Sequence, residues 1–100
     1  MYIRIATIRF PSQSKADAFL AMMKSVWFEK LDKETLNLEQ VQVKTGEGKL
    51  VGFGIYNSKE EFLKTSNQFK SLWMDFIKSF DGIVEFHEGD VVAHYKRKKK

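Results

Sequence analysis

His87 and His94 are the only two imidazoles in a 100-residue chain without cysteine. A thiolate zinc site, a cysteine nucleophile and a disulfide framework are therefore all excluded. Glu88 and Asp90 lie between the two histidines, and four such groups in eight residues raise the question of a metal cluster. Strand geometry answers it. In one continuous strand the two imidazoles fall on opposite faces about 23 Å apart. In a hairpin turning at Glu88-Gly89-Asp90, His87 faces Val91 and His94 faces Val84. Neither arrangement puts both on one ion, so no metal site is expected, and each histidine reads as a strand residue near a sheet edge or subunit seam. His94 facing a cavity would still be a lone base, and Tyr56 is the second candidate catalytic group.

A second constellation is apolar. Trp27 and Trp73 each fall on the apolar stripe of a helical segment, while Gly52 and Gly54 leave two positions without side chains on one side of a strand. Two large rings opposite two glycines mean either close packing or an aromatic-lined pocket, with Met23 beside it. Other groups give less. Glu60 and Glu61 are explained by a helix cap, and Glu85, Glu88 and Asp90 read as exposed strand and turn residues. Gly46-Glu47-Gly48 precedes a strand, not a helix N-terminus, and so cradles no phosphate. No cofactor is expected.

The elements that must position these groups follow from periodicity. Tyr2 to Phe10 is a strand with apolar residues on both parities, ended by Pro11. Ser14 with Asp17 resembles a capping box, and Phe19, Leu20, Met23, Val26, Trp27 and Leu31 then recur at helical spacing. Apolar residues at 36, 38, 41 and 43 switch parity, which predicts a bulge near Glu39-Gln40. Gly46-Glu47-Gly48 is a hairpin loop into the strand Leu50 to Tyr56. Ser58-Lys59-Glu60-Glu61 caps a second helix carrying Phe62, Leu63, Phe69, Leu72, Trp73, Phe76, Ile77 and Phe80, and Asp81-Gly82 closes it with glycine in the left-handed conformation. Ile83 to Tyr95 is either one strand interrupted at Glu88-Gly89-Asp90 or a tight hairpin. The order βαββαβ predicts an α+β, ferredoxin-like antiparallel sheet with two helices on one face. The apolar residues on the other sheet face need a cover that the chain does not supply, and a second copy is the economical one.

Composition fits this frame. The chain is 43% hydrophobic with nine Phe and two Trp, enough for one core without staples. The single domain is expected over residues 1–95, with 96–100 as a basic, disordered tail. The formal charge of +4 falls to −1 without Lys96, Arg97, Lys98, Lys99 and Lys100. The folded surface is thus not basic, and no nucleic-acid partner is expected. Arg4 and Arg9 interrupt the only stretch that would serve as a signal peptide, and no apolar run spans a membrane. Neither a membrane partner nor export is expected, and a cytoplasmic location is.

Gly52-Phe53-Gly54-Ile55-Tyr56-Asn57-Ser58-Lys59-Glu60-Glu61-Phe62 resembles a stretch of the dimeric α+β barrel proteins, specifically the antibiotic biosynthesis monooxygenase-like domains. There, a strand ending in an aromatic leads through a short polar turn to an acidic helix start followed by Phe. Ser66-Asn67-Gln68-Phe69-Lys70 is similar to a recurrent Ser-x-x-Phe-Lys stretch in that helix. The resemblance covers nearly the whole chain and implies a dimeric α+β barrel. Its enzymes include cofactor-independent quinone-forming monooxygenases and haem-degrading oxygenases. The haem degraders carry an Asn on the first strand, a Trp early in the second helix and an axial His after the Phe-Lys pair. Here the matching places hold Thr7, about Lys64 and Trp73. Indole does not ligate iron as neutral imidazole does, which disfavours haem degradation by that route.

The functional expectation is a homodimer, joined through the sheet, that binds a small apolar or aromatic molecule between helices and sheet and oxidises it without a cofactor. Two alternatives are a non-catalytic homodimeric binding or assembly module whose basic tail touches an anionic partner, and haem held by His87 or His94 in another pose.

Overall fold

The structure, a computed structural model, describes residues 1–98. Four strands, β1 (Tyr2–Arg9), β2 (Glu39–Gly46), β3 (Lys49–Tyr56) and β4 (Ile83–Asp90), form one antiparallel sheet in the order β2-β3-β1-β4. The first helical segment runs as one rod: α1 (Gln13–Met22), a π-helical turn (Met23–Trp27) and α2 (Phe28–Glu34). The second helix is α3 (Lys59–Ser79). This is the predicted ferredoxin-like α+β order.

Strand parity assigns the faces. Tyr2, Ala6, Ile8 and Phe10 of the first strand and Leu50 and Tyr56 of β3 are buried beneath the helices. Ala6, Ile8, Phe10 and Leu50 meet Phe19, Met23, Trp27, Phe69, Trp73 and Ile77, each full burial of this kind contributing roughly 1.5–3 kcal/mol, while Tyr2 and Tyr56 meet Phe62. The opposite parity carries Ile3, Ile5, Val51, Phe53 and Ile55, all partly exposed, with Val41 and Val43 about two-fifths exposed beside them. No element among the described residues packs on that face.

Several boundaries differ from expectation. The first helix is capped by Ser12, whose hydroxyl accepts from the Lys15 amide at 3.2 Å, not by Ser14. Val26 is half exposed although the periodicity puts it on the buried stripe. The buried residues of the rod are Ala16, Phe19, Met23, Trp27 and Leu31, the last four at three consecutive steps of four. A regular helix drifts by about 40° per step of four, and the wider π turn absorbs that drift, keeping Trp27 inward while Val26 turns out.

Leu36 and Leu38 precede β2, and the register irregularity lies between Lys44 and Gly46 at the hairpin, not near Glu39-Gln40. The parity switch reflects where the strand starts. At the end of α3 the left-handed residue is Asp81, with φ 60°, and not Gly82. Gly82 is required for space: a Cβ there would lie 2.7 Å from Ile77 Cγ2 and 2.8 Å from Phe10 Cε1. β4 continues through Glu88-Gly89-Asp90 in register with β1, which decides against the hairpin. Residues 91–98 then have no regular structure, and the two final lysines of the expected tail lie outside the described residues.

Candidate functional site

Between the rod, α3 and the helix-facing side of the sheet lies a small cleft of about 80 Å³, open to solvent on one side. That is below the range of about 300–1,000 Å³ usual for small-molecule sites, so a ligand seated there would extend into the open side. Each wall comes from one element. The rod contributes Trp27 and Leu31, and α3 contributes Phe62, Thr65, Ser66, Phe69, Lys70 and Trp73 at helical intervals of three and four. The sheet contributes Arg4, Gln40, Tyr56, Phe86 and Glu88. Register explains that last set, because Arg4 pairs with Gly54 on one side and Glu88 on the other, and Gln40 also pairs with Gly54.

The inner wall is aromatic and stiff. Trp27 and Trp73 stack with centroids 5.0 Å apart, and Phe69 and Phe76 meet Trp27 edge-on at 6.4 and 5.5 Å. At the other end, Phe62 packs on Tyr2 at 5.3 Å and on Tyr56 at 5.2 Å, forming a small cluster separate from the main core.

The polar groups divide into engaged and unengaged. The Tyr2 hydroxyl donates to Glu88 Oε2 at 2.6 Å. This bond, with burial and the charges of Glu88 and Asp90, pushes the Tyr2 phenol up to about 12, because ionising it would place a second anion beside a carboxylate. Burial also raises the Tyr56 phenol, an effect partly offset by the Arg4 charge. Tyr56 is therefore a neutral hydrogen-bonding group at ordinary pH. Desolvation lowers the Arg4 guanidinium from its usual range. Its central carbon sits 5.4 Å from the Trp73 centroid and 5.4 Å from the Phe86 centroid.

Of the candidate residues named from sequence, Trp27, Trp73 and Tyr56 line the cleft together. Met23 is wholly buried in the core and does not line it. Gly52 and Gly54 do face the helices, but it is polar neighbours and not the indoles that fill the space beside them. A Cβ at Gly52 would meet the Gln42 amide at 2.6 Å, and one at Gly54 would meet Asn37 Nδ2 at 3.4 Å and Arg4 Nη2 at 3.6 Å. His94 lies in the irregular segment after β4, exposed and away from the cleft walls. His87 is on the outer sheet face, 3.3 Å from Glu85. Among the described residues no three His, Asp or Glu converge as metal ligands, and no helix is long and apolar enough to cross a membrane.

Sequence reasoning missed Arg4, Gln40, Phe86 and Glu88. Arg4 left a trace, since it shares the parity of Ala6 and Ile8 and a charge on a buried parity calls for a reason. Ser66, Phe69 and Lys70, the recurrent residues of the Ser-x-x-Phe-Lys stretch, all line the cleft.

No family model matches the chain, and no curated protein does. Solved structures do match. A dimeric ferredoxin-like protein from an uncultured marine organism is 19% identical over 97% of this chain and 100% of its own, with a TM-score of 0.76. SnoaB, a cofactor-independent oxygenase from Streptomyces nogalater, is 4% identical over 96% and 97%, with a TM-score of 0.70. A monooxygenase from the ActVA-Orf6 gene of Streptomyces coelicolor, solved in complex with nanaomycin D, is 9% identical over 95% and 92%, with a TM-score of 0.67. At these identities the likeness establishes the fold alone: the chain has the ferredoxin-like α+β architecture of these proteins.

Proposed function

We propose that the protein is a homodimer that binds a small aromatic molecule in the cleft and oxygenates it without a resident cofactor. The observation that carries this reading is the aromatic cleft itself, walled by Trp27, Trp73, Phe62, Phe69 and Phe86 and opening to solvent between helices and sheet. The relatives in fold that are oxygenases add to it. The apolar outer face formed by Ile3, Ile5, Val51, Phe53 and Ile55 supports pairing through the sheet, and the marine relative is itself described as dimeric.

Cofactor-free oxygenation needs a substrate that reacts with oxygen once deprotonated. For a methylene flanked by an aromatic ketone, the proton passes to a base, the carbanion gives an electron to dioxygen, and the radicals recombine to a hydroperoxide. Loss of water leaves the ketone, so that CH2 and O2 become C=O and H2O. The protein supplies a base, a dry wall and orientation. Glu88 is the carboxylate on the cleft, with Tyr2 holding it in place, and Tyr56 is a hydrogen-bond donor to a substrate oxygen. His94 acts as base only where it reaches a cleft from outside the chain's own walls, as from a partner subunit.

Oxygen uptake in the presence of an anthrone tests the reading. Protein-dependent uptake with formation of the quinone is the expected result. Binding without uptake transfers the protein to the non-catalytic binding class, and absence of any aromatic ligand binding removes the small-molecule reading.

A further inference from the structure

The residues lining the cleft carry four buried N–H groups with no hydrogen-bond partner among the described residues: Arg4 Nε, Trp27 Nε1, Trp73 Nε1 and Gln40 Nε2. Buried polar groups are paired in the great majority of cases, so four unpaired donors around one cavity describe the ligand's complement. The one carboxylate in the lining, Glu88, is exposed and not buried with these donors. Glu88, the carboxylate on the cleft, receives the Tyr2 hydroxyl, and no acidic group forms an ion pair with Arg4 among the described residues although Glu88 is its cross-strand neighbour. Lys70 adds a second cation to the lining.

A guanidinium beside two aromatic rings, partly buried and without a counter-ion, is costly to fold around. A planar fork flanked by rings suits a planar anion whose aromatic body continues the stack.

We propose that the cleft selects an aromatic ligand bearing an anionic oxygen, a carboxylate or an ionised hydroxyl, with Arg4 as its counter-charge and the indole N–H groups of Trp27 and Trp73 as further donors. The proposal rests on the reading of the cleft as a small-molecule site and assigns the ligand class for it. Arg4 then favours the ionised form of the ligand on binding, which for an oxygenation substrate is the form that reacts with oxygen.

Titrations of the full chain with 2-naphthoate and the isosteric 2-naphthamide, read by indole fluorescence, test it. The acid is expected to bind at least about tenfold more tightly, the usual worth of a charge-assisted contact in a sheltered site. Arg4→Met should abolish that preference, weakening the acid far more than the amide. Arg4→Lys, which keeps the charge and loses the fork, should retain part of it and guards against a fold defect in the first variant. With 2-naphthol, a move of the ligand's absorption to that of the naphtholate on binding shows that the site also takes an ionised hydroxyl, and its absence with naphthoate bound confines the class to carboxylates. Equal affinity for acid and amide, unchanged in Arg4→Met, overturns the anion proposal and leaves the small-molecule reading standing. Failure of both ligands to bind overturns both.

Discussion

The guanidinium carbon of Arg4 lies over the indole ring of Trp73, 5.4 Å from its centroid, in the cleft between sheet and helices. The contact joins β1 to α3 and sets a desolvated charge against the wall that contains both tryptophans. A charge so placed costs the folded state more than a stacking contact returns, since an exposed to partly buried cation–π contact is worth about 0.5–2 kcal/mol.

It follows that Arg4→Met leaves stability unchanged or raises it by up to about 1 kcal/mol, against the usual direction for a buried substitution. Urea unfolding of the two proteins measures this. A loss of more than about 1 kcal/mol would show that the guanidinium holds the fold together.

The two glycine-to-alanine changes Gly82→Ala and Gly52→Ala should differ in sign of concern. The Cβ at position 82 meets Ile77 and Phe10, neither able to withdraw from the core, and overpacking there should cost about 1–3 kcal/mol. At position 52 it meets only the tip of Gln42, a flexible side chain that can move aside, so the change should stay within about 0.5 kcal/mol. Thermal melts of both variants decide between them.

Tyr2 gives a pH signature. Its folded-state phenol sits at about 12 against an ordinary 10.0, so the neutral form is favoured by folding. The associated stability is complete below pH 10 and is lost as the pH rises from 10 to about 12. Glu88→Gln removes the carboxylate that causes the shift, and phenolate absorbance of the variant should then titrate at lower pH. Coincident titration curves for the two proteins would separate Tyr2 from Glu88.

Ile5→Asp and Phe53→Glu place charges on the outer sheet face, where neighbours on β1 and β3 pair directly as Ile5 with Phe53. If that face joins two copies, the wild type runs as a dimer by light scattering and each variant as a monomer with an intact far-ultraviolet spectrum. A monomeric wild type would contradict the pairing.

How much of this was legible in the sequence depends on whether a residue's role is local. Ser58 could be read as a cap because the bond it accepts from the Glu61 amide lies three residues away, and the β2–β3 hairpin because its loop residues are adjacent. The π turn could not, since the pattern around Val26 and Trp27 fits an ordinary helix and only the four-residue steps of the packed side chains force the wider turn. Asp81 took the left-handed position while Gly82 was needed against Ile77 and Phe10, a contact between segments seventy residues apart. The cleft was half visible. Trp27, Trp73 and Tyr56 stand out by type, whereas Arg4 and Glu88 become partners only through the β1–β4 register.

The central claim, that the cleft is a binding site for an aromatic molecule, is tested most directly by the indole N–H signals in a proton–nitrogen correlation spectrum. The chain contains two tryptophans, and both line the cleft, so both signals report on it. Titration with 2-naphthoate should move both to saturation with a single dissociation constant. Two indole signals that stay fixed while the ligand is in excess would contradict the claim.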